Sequence, residues 1–133
     1  MDMIRQMDMS YSYKPVLIKA VLLYADDKGR IKLDNIVSYF KSYYEGRRAA
    51  RLPVEKKNSI FAKGGYTDKE AERNILSNPF KRFEDMQMLR HTKTLGIVQV
   101  DEAVWKHLSK EEKVEMERIC DTNLQQYYER LTK

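Results

Sequence analysis

The chain has a single cysteine, Cys120, and only two histidines, His91 and His107. One thiol cannot form an internal disulfide, and this set cannot build a Cys-rich zinc site. Glycine and proline are sparse, 5 and 3 in 133 residues, which excludes collagen-like and low-complexity chains. Apolar runs such as Val21-Leu22-Leu23 are short against the ~20 residues that a membrane-spanning helix needs. Met1-Asp2-Met3-Ile4-Arg5 lacks the long apolar stretch of a secretory leader, so none is expected. These absences predict a protein of the reducing cytoplasm with no membrane partner.

Catalytic signatures are equally scarce. Gly64-Gly65 is followed by no Lys-Ser/Thr pair, so there is no phosphate-cradling P-loop. Neither a G-x-S-x-G elbow nor an H-E-x-x-H helix occurs. Cys120 lies among Ile119 and Leu124 on one helical face, which predicts a buried thiol and not a nucleophile. His107 has no ligand-forming neighbours, and His91 reads as an exposed strand residue or a phosphate-facing one. Glu111-Glu112-Lys113 matches the E-x-K tail of a metal-dependent nuclease, but Ser109 precedes it at capping-box spacing, and a helix start explains the same residues. The expectation is no enzyme, no metal and no cofactor.

What is present is enough apolar residue, 42%, to bury one domain's core. The net charge of +5 is unevenly spread. Residues 46–66 hold Arg47, Arg48, Arg51, Lys56, Lys57 and Lys63 against one acid, Glu55, a balance equal to that of the whole chain. Such a concentration points to the phosphate backbone of a nucleic acid, to an acidic protein surface, or to a solvated loop.

Periodicity then gives the elements. Residues 1–12 show no usable period and read as a loose segment before one domain over 13–133. Pro15 suits a first helical position, and Val16, Leu17, Ala20, Val21 and Tyr24 recur on one helical face. Gly29 closes the following turn, and Ile31-Lys32-Leu33 reads as a short strand. Asp34 is expected to cap a second helix, with Ile36, Val37, Phe40, Tyr43 and Tyr44 as its apolar stripe, running on through Arg51 until Pro53. Residues 53–66 read as a long loop. Thr67 and Glu70 form a capping box, and Asn78-Pro79 restarts a helix to about Met88 with Phe80, Phe83, Met86 and Leu89 inward. Leu89-Arg90-His91 and Ile97 to Val100 alternate and predict a hairpin around Gly96. Asp101 opens a short helix with Val104 and Trp105. Ser109 opens the last, whose apolar side is Val114, Ile119, Cys120, Leu124, Tyr127, Tyr128 and Leu131.

A short strand among helices, then a helix followed directly by a hairpin, is the order of a winged helix. The predicted class is mainly α with a small three-stranded sheet, an α+β winged-helix-like domain; a helical bundle with an added hairpin is the competitor. In a winged helix the helix before the wing enters the major groove. Lys81, Arg82 and Gln87 would be its donors, Arg90 and Lys93 would sit on the wing, and Arg47, Arg48, Arg51, Lys56 and Lys57 would flank it. Glu84 and Asp85 oppose this, since Lys81 can pair with Asp85 at i,i+4. The 9 tyrosines include the adjacent pairs Tyr43-Tyr44 and Tyr127-Tyr128. Adjacent residues on a helix cannot both face a core squarely, so exposed ring surface and a contact role for Tyr43 and Tyr44 are expected.

Asn58 to Phe61, Asn74 to Met86 and Val104-Trp105-Lys106-His107-Leu108 together resemble a C-terminal accessory region of bacterial DEAD/DEAH-type helicases of defence or restriction systems. The likeness runs from about Tyr13 to Leu131. The motor motifs are absent, so it implies a non-catalytic nucleic-acid-binding or docking module beside a helicase or nuclease. The alternative is a phage or mobile-element inhibitor, of anti-CRISPR or anti-restriction type, that binds a host nucleic-acid enzyme. Neither reading gives the oligomeric state.

Overall fold

The computed structural model describes residues 9–133. Helix α1, Tyr13–Tyr24, is the centre of the domain. Its residues Tyr13, Pro15, Val16, Leu17, Ile18, Ala20 and Val21 are all buried, more than one face can hold, because helices lie on several sides of it. Pro15 sits in the first turn and not at the first position, where its missing N–H still costs no helical bond. Residues 9–12 are not loose: Ser12 is fully buried, and Met9 and Tyr11 pack against the core. The rest of the segment expected to be loose lies outside the described residues.

Strand β1, Arg30–Lys32, leads without a loop into helix α2, Leu33–Ala49. Asp34 is not the cap; it lies in the first turn, where a carboxylate favours the helix dipole. Between them and α1, Gly29 takes φ +77°, and a Cβ there would stand 2.8 Å from Cγ of Trp105. A glycine is therefore required both by the turn and by the indole above it. Helix α2 stops at Ala49, before the expected Arg51, and Arg51 itself adopts φ 59°.

The stretch expected to be a long loop contains helix α3, Ile60–Lys63, capped by Ser59 and anchored by the fully buried ring of Phe61. Helix α4, Asp68–Ser77, begins with the predicted capping box of Thr67 and Glu70. Helix α5, Pro79–Asp85, is shorter than expected. Gln87 turns the chain at φ 59°, so it is off the helix, and Met86 is 47% exposed in place of its expected inward position.

The hairpin is as predicted. Strands β2, Leu89–Thr92, and β3, Ile97–Val100, flank a turn with Gly96 at φ +62°. The sheet is antiparallel, in the order β1-β3-β2, with Arg30 opposite Gln99 and Gln99 opposite Arg90. Helix α6, Glu102–His107, is capped by Asp101 and seats Trp105, whose indole N–H donates to the Asp26 carbonyl at 3.1 Å. Helix α7, Lys110–Leu131, opens on the Ser109–Glu112 capping box and packs along α1. Its buried stripe is Ile119, Cys120, Leu124, Tyr127 and Tyr128. Val114, expected on that stripe, is 69% exposed. Mainly helical with a small antiparallel sheet, the domain is α+β as predicted.

Candidate functional site

The basic segment does not present its charges as a bare count suggests. Arg47 Nε donates to the Pro53 carbonyl at 2.6 Å, and its guanidinium lies 3.5 Å from the centre of the Tyr128 ring. Arg48 donates to Glu45 at 3.0 Å and to the carbonyls of Ala62, at 3.2 Å, and Phe61. These two arginines close the chain reversal after α2 and satisfy carbonyls of the loop, at Pro53, and of the one-turn helix α3, at Phe61 and Ala62. Lys56 sits 5.0 Å from the Tyr11 ring, while Arg51, Lys57 and Lys63 are exposed.

Glu55, the only acid of that segment, turns inward and is 8% exposed. Its carboxylate accepts from the Ser12 and Lys56 backbone N–H groups, both at 2.8 Å, and from the Ser12 and Tyr127 hydroxyls. Ser12 also meets the Tyr44 hydroxyl at 2.6 Å, and Tyr128 donates to the Val54 carbonyl at 2.8 Å. Residues 50–59 thus form a strap, pinned to α1, α2 and α7 by a buried polar network. A buried carboxylate with this many donors is held in one geometry.

The strap corrects the tyrosine expectation. Tyr44 is fully buried, and Tyr127 and Tyr128 are 3% and 7% exposed, because the strap covers the side of each pair that the helices leave open. Tyr44 is therefore not a contact residue; Tyr43 alone of the four is half-buried. Burial pushes the Tyr13 hydroxyl up to about 12 and holds those of Tyr43, Tyr44 and Tyr127 well above the ordinary tyrosine value. Burial likewise pushes the Cys120 thiol up to about 12, which leaves it protonated and unreactive at neutral pH.

The remaining candidates separate cleanly. His91 faces inward, half-buried with its ring edge-on to Phe80 at 6.1 Å, so it does not face a phosphate. Glu112 is tied into the capping box and Lys113 lies 3.9 Å from the Trp105 ring centre, so Glu111-Glu112-Lys113 is a helix start. Lys81 pairs with Asp85 at 2.9 Å and Glu84 at 3.7 Å, as the i,i+4 spacing suggested. Arg82 is exposed on the same helix and pairs with no carboxylate among the described residues.

The outer face of the sheet was missed by counting charge in segments. Alternation places Ile31, Leu89, His91, Val98 and Val100 inward and Arg30, Lys32, Arg90, Thr92, Ile97 and Gln99 outward. None of the six outward positions is acidic. Register sets Arg30 and Arg90 on either side of Gln99, roughly 10 Å apart at two strand spacings. Arg30 shares Asp26 at 3.1 Å, whereas Lys32, Arg90 and the turn residue Lys93 are exposed with no ion pair among the described residues. Leu95, at the tip of the hairpin, is 70% exposed.

No family model, curated protein or solved structure matches the chain. Nothing in those comparisons links it to helicase accessory regions.

Proposed function

We propose that this chain is a non-catalytic nucleic-acid-binding module of winged-helix type, and that it grips phosphate backbone with the outer face of its sheet and its hairpin. The observation that carries this is the outward face holding Lys32 and Arg90, beside Lys93 in the turn, with no carboxylate among its six positions. The order α1-β1-α2, three further helices, then β2-β3, with strand order β1-β3-β2, supports the winged-helix reading. Phosphate contacts dominate the proposed interface, because Lys81 is neutralised by its own helix and Gln87 is off it. Binding is accordingly backbone-led and weakly sequence-dependent. A setting beside a helicase or nuclease of a defence system rests on the motif resemblance alone.

The exposed Leu95 favours a second reading, in which the same face docks on an acidic protein surface, as an inhibitor of a nucleic-acid enzyme would. Anisotropy titrations of labelled duplex DNA, duplex RNA and single strands over a range of salt test the choice. The nucleic-acid reading expects log affinity to fall linearly with log salt, nearly alike for unrelated sequences. No measurable binding to any of them at low salt overturns it.

A further inference from the structure

We propose that the cleft between the N-terminal end of α1 and the α4–α5 junction is a separate phosphate site. The inference rests on the nucleic-acid reading above and extends it to a second face. The cleft is lined by Ser10, Tyr11, Tyr13, Lys14, Asn78 and Arg82 and has a volume of about 220 Å³. That is about seven times the ~30 Å³ share of a water molecule in the liquid, room for a phosphate group with part of its hydration shell.

The donor chemistry fits an anion. The Arg82 guanidinium fork, the Asn78 amide and the Ser10 hydroxyl belong to residues that line it, and no carboxylate is in the lining among the described residues. Glu84 and Asp85 follow Arg82 on its helix and would cancel it if they shared its charge. Lys81 takes both, at 3.7 and 2.9 Å, and leaves Arg82 without an acidic partner among the described residues. The acidic pair that argues against α5 as a binding helix is thus disposed of within the helix.

The wall behind these donors is rigid. Tyr11 and Tyr13 stack with centroids 4.9 Å apart and planes 4° from parallel. The Tyr13 hydroxyl is held by Ser59, and the Tyr11 hydroxyl accepts from the Asn58 amide at 2.8 Å. A site with fixed walls loses little entropy on binding.

The test is a titration of the ¹⁵N-labelled full chain, followed by NMR, first with inorganic phosphate and then with a short DNA duplex. Inorganic phosphate should shift Tyr11, Asn78 and the Arg82 side-chain N–H, and Arg82→Ala should abolish the Tyr11 and Asn78 shifts while Arg82→Lys retains them. Duplex should shift the same signals together with Arg90 and Lys93. Arg82→Ala should lower the slope of log affinity against log salt by about 0.9, one duplex phosphate. Duplex binding through Arg90 and Lys93, with cleft signals unmoved by either probe and the slope unchanged in Arg82→Ala, overturns the cleft and leaves the nucleic-acid reading standing. A cleft that responds to inorganic phosphate in a chain that binds no nucleic acid overturns the nucleic-acid reading and assigns the cleft to free phosphate esters.

Discussion

Glu55→Ala should be among the most damaging single substitutions in the molecule, although it removes a charged residue from the most basic segment. The carboxylate serves four donors. Two have a recourse: the Ser12 hydroxyl can reverse its existing 2.6 Å bond with Tyr44, which passes the unmet O–H to Tyr44, and the Lys56 N–H belongs to an exposed residue that water can reach. The Ser12 N–H and the Tyr127 hydroxyl do not, since Ser12 is fully buried and Tyr127 is 3% exposed. Each buried donor left unsatisfied costs about 1–3 kcal/mol. Relief from burying a carboxylate returns part of this, and the net loss should be about 3 kcal/mol. For a domain of this size that lowers the melting temperature by roughly 10 °C. Glu55→Gln keeps the shape and one acceptor, so it should lose about half as much. Urea unfolding followed by Trp105 fluorescence measures both. Equal stability of wild type and Glu55→Ala would show that the strap is not held by this network.

Three further outcomes follow from the same packing. Phe83→Ala should cost about 3–5 kcal/mol in urea unfolding, because the ring is 6% exposed between α5 and the core; a loss under 1 kcal/mol would mean that the site collapses around the gap. Gln87→Gly should raise stability by about 1 kcal/mol, since Gln87 holds φ 59° and glycine removes the left-handed penalty; a fall in melting temperature would contradict it. The raised values of the Cys120 thiol and Tyr13 hydroxyl, both about 12 against ordinary values of 9.0 and 10.0, favour the neutral forms in the folded chain. Their stabilisation is complete below about pH 9 and is lost as pH rises to 12; a melting temperature flat over that range would refute the burial argument.

Local signals in the sequence were reliable here. Thr67 with Glu70 and Ser109 with Glu112 satisfy orphan N–H groups within one turn, so nothing distant can override them, and both helices start where the spacing said. The hairpin was equally legible from its alternation and Gly96. Long-range effects were not. Tyr44, Tyr127 and Tyr128 are buried by a strap whose path depends on Glu55 meeting Ser12, 43 residues away in the chain. Arg47 and Arg48 count as surface charge until their carbonyl partners are seen. Met86 misled because α5 ends one residue earlier, and Val114 because the first turns of α7 lie outside its buried stripe. Arg30 and Lys32 were readable as the exposed positions around Ile31, but residues 1–45 net only to +1, and segment counting hid them.

The central claim is that binding belongs to the sheet face and hairpin, while Arg47 and Arg48 hold the fold. It is tested most directly by comparing the salt dependence of duplex binding in two triple variants. Lys32→Ala with Arg90→Ala and Lys93→Ala should keep the wild-type melting temperature and lower the slope of log affinity against log salt by up to about 2.7, three phosphates at 0.9 each. Arg47→Ala with Arg48→Ala and Arg51→Ala should lower the melting temperature and change the slope by about one phosphate at most. An unchanged slope in the first variant, with a steep loss in a stably folded second, would contradict the claim and return the site to the basic segment.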